Sequence, residues 1–187
     1  MILETIVTTQ NHEGVVHIAP MGIHVEGDSF IILPFRPSTT LNNFLETKLG
    51  VINYCDDVRV FAGCLTGRRD WPLKPAQEIS GKVLECALAH TEIELVRIEE
   101  DETRPKLFCK TKHIANHAPF KGFNRAQFAV LEAAILISRL EMLPLQKIES
   151  EIDYLRIGLE KTAGDREMEA WGWIMEFLNE FKGKARA

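Results

Sequence analysis

"FRPSTTLNNF", residues 35–44, follows the apolar run "FIIL" (30–33) after a single proline. The run has the composition of a strand, and the ten residues behind it have the chemistry of a helix start. Pro37 fixes a turn, and Ser38, Thr39 and Thr40 belong to the residue types that satisfy a helix's first amides. Strand therefore gives way to helix here. Arg36 is permanently charged, and its planar fork suits phosphate, while a helix beginning near Ser38 offers backbone N–H groups and a positive dipole end to the same anion. The plainer reading is a capped helix start with no ligand. Local chemistry leaves both open.

Outward from this turn the pattern is that of short strands. "LETIVTT", "VVHIAP", "GIHVEG" and "SFIILPF" are separated by Gly, Asp and Pro, and "EGDS" at 26–29 marks a hairpin. In "HIAPMG", residues 17–22, proline removes a donor and glycine a side chain, so the backbone is bare and open to a flat ring. A sheet-edge proline without a ligand has the same sequence. Downstream, "LGVINYC" is a further apolar run, and in "DDVRVFAGCLTG" Asp56 or Asp57 caps a short helix. "RRDWPLKPAQ" reads as a loop. The segment from Glu78 to Ala115 supplies three more strands, the last two joined through the charged tip "EEDETRP". Strands of this length and spacing predict a closed or partly closed antiparallel barrel.

Past Asn124, which is placed to cap, the period becomes helical. Phe128, Leu131, Ile135, Leu136 and Leu140 mark one side of the first helix, with Ala126, Ala129, Ala133 and Ala134 allowing close approach. Leu145, Ile148, Ile152, Leu155 and Leu159 stripe a second helix ending at Gly164. Asp165 caps a third, presenting Met168, Trp171, Ile174, Phe177, Leu178 and Phe181, and the short "TAGD" link folds it back antiparallel. The expected organisation is a barrel domain over 1–123 and a helical subdomain over 124–187, packed on the barrel.

Composition narrows the function classes. The 187 residues are 45% hydrophobic, enough to bury a core. Twenty-two Lys and Arg against 27 Asp and Glu give a net charge of −5, which lacks the basic footprint of a nucleic-acid binder. No apolar stretch approaches the roughly 20 residues that span a bilayer, and "MILETIVTTQ" has no basic region ahead of a cleavable segment. A cytoplasmic location is expected. Cys55, Cys64, Cys86 and Cys109 are scattered with no C-x-x-C pair, which suits thiols in a reducing compartment better than a disulfide frame or a zinc site. The sequence lacks G-x-G-x-x-G after a strand, G-x-x-x-x-G-K-[ST], H-E-x-x-H and G-x-S-x-G. His113 and His117, four apart, suggest a metal pair, but no carboxylate or third ligand lies near them in sequence, so no metal is expected. No catalytic residue is assigned.

Taken in order, a strand ending "APMG", a following strand, "FRPSTTLNN" entering a helix and then "GVINYCDDV" resemble the flavin-reductase-like split β-barrel flavoproteins. With "NRAQFAVLEAAILISRLEML" and "LEKTAGDREMEAW" in the helical part, the chain most resembles the DUF447-type flavoproteins of archaea and bacteria. The resemblance covers most of the chain. It implies an α+β protein with a split antiparallel barrel and C-terminal helices, binding FMN non-covalently as a homodimer with the flavin at the subunit interface. It further implies that Arg36, Ser38, Thr39 and Thr40 hold the phosphate, and that Asn43 reaches the ribityl chain or caps locally. Ala19, Pro20, Met21 and Gly22 lie beside the isoalloxazine, and Asn53 faces the flavin or bonds to a turn. Lys121, Asn124 and Arg125 contribute charge or donors from either subunit. Many flavin reductases of this fold carry a basic and aromatic nicotinamide pocket that this sequence does not display. The implied function is an FMN oxidoreductase; the alternatives are a non-catalytic FMN-binding or storage module and a binder of another phosphorylated ligand.

Overall fold

The computed structural model describes residues 1–185. Six strands close an antiparallel barrel in the order β1 (Ile2–Gln10), β2 (Val16–Glu26), β3 (Ser29–Ile32), β8 (Lys106–Asn116), β7 (Ala89–Glu99) and β4 (Leu49–Tyr54). Every second residue points inward. Val7, Ile23, Phe30, Ile32, Ile52, Ile93, Leu95, Leu107 and Cys109 form the barrel core. Helix α1 (Thr39–Thr47) adds Leu41 and Phe44 to that cluster, so it stops one end of the barrel.

The opposite faces of β1, β4 and β7 are also covered. Between β4 and β7 the chain forms a small hairpin, β5 (Leu73–Pro75) with β6 (Lys82–Leu84), inside the stretch expected to be a loop and just beyond it. Leu84 N–H donates to Asn53 Oδ1 at 2.8 Å, Thr8 Oγ1 donates to the Lys82 carbonyl, and Gln10 Nε2 bonds both Ser80 oxygens. This arm explains why Thr5 to Thr9 are all buried, where a one-sided strand would alternate.

Two compact units are defined by internal contacts: residues 1–55 with 71–120, and residues 56–70 with 121–187. The second contains α2 (Arg59–Leu65), α3 (Arg125–Ile137), α4 (Leu145–Thr162) and α5 (Asp165–Ala185). Val58 and Ala62, at and within α2, join the helical core. Within that unit α3 buries Ala126, Ala129, Val130, Ala133, Ala134, Leu136 and Ile137, while Phe128 is 55% exposed. The small side chains face the neighbouring helices because they let backbones approach closely. Asn124 caps α3 as expected, its Oδ1 accepting from Ala126 N (2.7 Å) and Gln127 N (3.3 Å). Asp165 lies inside the first turn of α5, and Glu167 Oε2 takes the Gly164 N–H at 2.9 Å.

Candidate functional site

Register sets the geometry of the β3–α1 turn. β3 stops at Ile32, opposite Ile23, so from Gly22 back to Val16 β2 pairs only with β1. The chain leaves β3 where this open edge begins, and α1 closes the same barrel end: Asn43 Nδ2 donates to Thr9 Oγ1 at 3.0 Å. A proline on β2 is tolerated there because the strand has one unladdered side.

Ser38 is the N-cap of α1; its hydroxyl accepts from Leu41 N at 3.2 Å. Asn42 N makes the first intrahelical bond to the Ser38 carbonyl. The amides of Thr39 and Thr40 precede that ladder and point out of the helix's positive end. Thr39 is exposed and Thr40 buried. Arg36 donates its backbone N–H to the Thr103 carbonyl (2.8 Å) and its Nη2 to Glu100 Oε2 (2.7 Å), so the turn is tied to the β7–β8 tip. An open depression of about 480 Å³ is lined by Arg36, Glu100, Asp101 and Glu102. On its rim Arg104 donates to the Leu33 carbonyl (2.9 Å) and lies over the Phe35 ring, 4.6 Å from its centroid. Three carboxylates line the depression with Arg36, and Glu100 is the anion now occupying the guanidinium.

The other expected residues divide. Met21 packs against the barrel core, whereas Pro20 and Gly22 alternate to the outer face. The space over Gly22 is filled by its own chain: a Cβ there would lie 3.2 Å from Ile2 Cγ2 and 3.4 Å from Glu4 Oε1. Asn53 is fully buried, and its Nδ2 donates to the Ile6 carbonyl (3.1 Å) and Thr8 Oγ1 (3.2 Å) while its Oδ1 takes the arm's Leu84 amide. Asn43 and Asn53 are both engaged inside the fold. Lys121 and Arg125 belong to the helical unit; Arg125 lines a groove with Phe128, Tyr154 and Ile157.

Cys64 and Cys109 are inert as nucleophiles, since burial pushes their thiols up to about 11 and about 12. Among the described residues no group of three or more His, Cys, Asp or Glu is arranged to hold a metal ion, and no helix is long and apolar enough to cross a membrane. Sequence reasoning missed one constellation, Glu92 and His90 joined to His117; its only signal was the i, i+2 spacing of "HTE" on a strand.

Comparison with known proteins places the chain. The profile for the N-terminal domain of the protein of unknown function DUF447 matches residues 3–118, and that for the rest of DUF447 matches 124–176. No curated protein matches in sequence. Among solved structures, an FMN-bound DUF447 protein from Methanosarcina mazei is 23% identical with a TM-score of 0.82, over 94% of each chain. The 2-nitrobenzoate 2-nitroreductase NbaA of Pseudomonas fluorescens is 22% identical (TM-score 0.53), covering 61% of this chain and 64% of its own. An FMN-binding protein from Thermus thermophilus with bound p-hydroxybenzaldehyde is 16% identical (TM-score 0.54), covering 65% and 75%. At these identities the likeness is one of fold, and the fold is the split FMN-binding barrel with added helices.

Proposed function

The chain belongs to the DUF447 family, and from that premise we propose that it is a flavoprotein that binds FMN with its phosphate at the β3–α1 turn. The observation that supports the reading is the start of α1, where the amides of Thr39 and Thr40 precede the helical ladder directly after the Ser38 cap, with Arg36 two residues upstream. The FMN held by the Methanosarcina mazei relative, over 94% of both chains, supports the choice of ligand. Arg36 would exchange Glu100 for the phosphate, the amides at the start of α1 would take its second charge, and Pro20 would lie beside the ring. The chain would act as a homodimer, with the partner subunit completing the flavin site. FMN, when bound, supplies hydride and electron transfer; the protein's part is to anchor and orient it.

Arg36→Ala is expected to weaken FMN at least tenfold while changing riboflavin little, because only FMN carries the phosphate. Glu100→Gln removes the competing anion and is expected to tighten FMN several-fold. Fluorescence titration with both flavins checks this; equal losses for FMN and riboflavin in Arg36→Ala would remove the phosphate assignment.

We further propose an oxidoreductase role, supported by the nitroreductase among the structural neighbours. Anaerobic addition of NADH or NADPH to FMN-loaded protein is expected to bleach the flavin. A spectrum that stays oxidised with either donor favours a binding or storage module.

A further inference from the structure

A buried chain of titratable groups lies elsewhere on the barrel unit, outside the flavin turn. Glu92 and His90 share the outer face of β7, beneath the arm. Glu92 is fully buried, and its two oxygens accept the amides of Gln77 (2.6 Å), Glu78 (2.9 Å) and Ile79 (2.9 Å). Burial pushes its pKa up, but those amides and His90 outweigh it and hold the group below the usual carboxylate range. It is a fixed carboxylate.

That charge dictates the protons beyond it. His90 Nε2 lies 3.2 Å from Glu92 Oε1, and a carboxylate only accepts, so Nε2 carries the proton and Nδ1 of the neutral ring is bare. His90 Nδ1 lies 2.8 Å from His117 Nε2, so His117 donates from Nε2. The last nitrogen, His117 Nδ1, keeps its lone pair. The ring is held in place: it meets His90 edge to edge, its plane within 12° of that ring and the centroids 5.0 Å apart, and the His117 backbone N–H donates to the Leu88 carbonyl at 2.8 Å. His90 is 1% exposed, whereas His117 is at the surface.

We propose that Glu92, His90 and His117 form an acid–base site whose proton-accepting atom is His117 Nδ1, acting on a small ligand with a weakly acidic hydroxyl of the phenol or enol type. The ligand O–H bond breaks, its electron pair stays on oxygen, and a new N–H bond forms at Nδ1. The Nε2 proton of His117 passes to His90 Nδ1, leaving an imidazolium against Glu92. No electron is transferred. An imidazole exchanges protons efficiently only with groups of comparable acidity, which excludes aliphatic alcohols, while carboxylic acids arrive already ionised. His90 and Glu92 are positioning residues.

The groups facing His117 fit this role. Partial desolvation lowers its pKa, and the charge of Lys74 on β5 adds to that, so the ring is an unprotonated base at neutral pH. The Lys74 ammonium suits the oxyanion left behind. On β8, His113 has its ring centroid 6.1 Å from that of His90, and its Nε2 is buried without a hydrogen-bond partner. An unpaired buried nitrogen beside the chain marks a place that a polar ligand completes.

The test uses the full chain and 4-nitrophenol as probe. Long-range ¹H–¹⁵N spectra are expected to show His117 protonated on Nε2 and bare on Nδ1 at neutral pH. Saturating protein is expected to raise the nitrophenolate-to-nitrophenol ratio at least tenfold over buffer, with and without FMN. His117→Gln, at the surface, is expected to fold and to abolish the increase; His90→Gln is expected to reduce it at least fivefold and mix the His117 tautomers. A proton on Nδ1 in the unaltered protein, an undiminished increase in His117→Gln, or an increase seen only with FMN would overturn the proposal.

Discussion

Gly50 lies where β4 passes under the Phe44 ring, and a Cβ there would sit 2.5 Å from Cζ and 2.9 Å from Cε1. Phe44 is fully buried in the barrel core and cannot swing away. Gly50→Ala is therefore expected to cost about 1–3 kcal/mol, with part restored when Phe44→Leu makes room, as urea midpoints would show. Asp57 gives a second prediction at this scale. Burial pushes its carboxyl up, but the Arg59 guanidinium, at 2.9 and 2.7 Å, and Arg166 outweigh that and hold it below its ordinary value. A lowered folded value means that the stabilisation is complete above about pH 4, the ordinary Asp value, and lost as pH falls through the folded one. Asp57→Asn is expected to cost about 3 kcal/mol at pH 7, and the difference from the unaltered protein should shrink as pH falls through the lowered folded value. The cap at Asn124 was legible because both partners lie within three residues. The bonds of Asn53 were not, since its Oδ1 partner is 31 residues away.

Elements followed the sequence wherever a period ran long enough to read. The stripe of α4 is buried at Ile148, Ile152, Leu155 and Leu159 as its spacing predicts. In α3 the large apolar residues and the alanines competed for the inner face, and closeness to the neighbouring helices decided for the alanines. β6 is the first of the three strands expected over 78–115, whereas β5, three residues within the expected loop, left no period to read. Asn124 joins elements as well as ending one: its Nδ2 donates to the Thr162 carbonyl at 3.0 Å, at the last turn of α4. Asn124→Ala is thus expected to cost about 2 kcal/mol, the upper end for a helix cap, against about 1 kcal/mol for Ser38→Ala, whose cap makes a single bond. Chemical denaturation of the two variants side by side checks the order.

For the whole molecule, the homodimer proposal predicts twice the chain mass of 21.2 kDa in solution, with FMN loading and dimer formation linked. Sedimentation across a dilution series with and without FMN tests it; a monomer that binds FMN tightly would sink the shared site. The order of the longer strands and helices, the hairpin at 26–29, the helix start at Ser38 and the barrel class were determined by the sequence itself, because turn chemistry and side-chain period act over a few residues. Tertiary structure decided the rest: that β2 pairs only with β1 from Gly22 back to Val16, that Glu100 occupies the Arg36 guanidinium, that the arm covers Asn53 and Glu92, and that His90 meets His117 across 27 residues. Those contacts depend on register and closure, where the free energy of burying both faces of a strand outweighs any local preference.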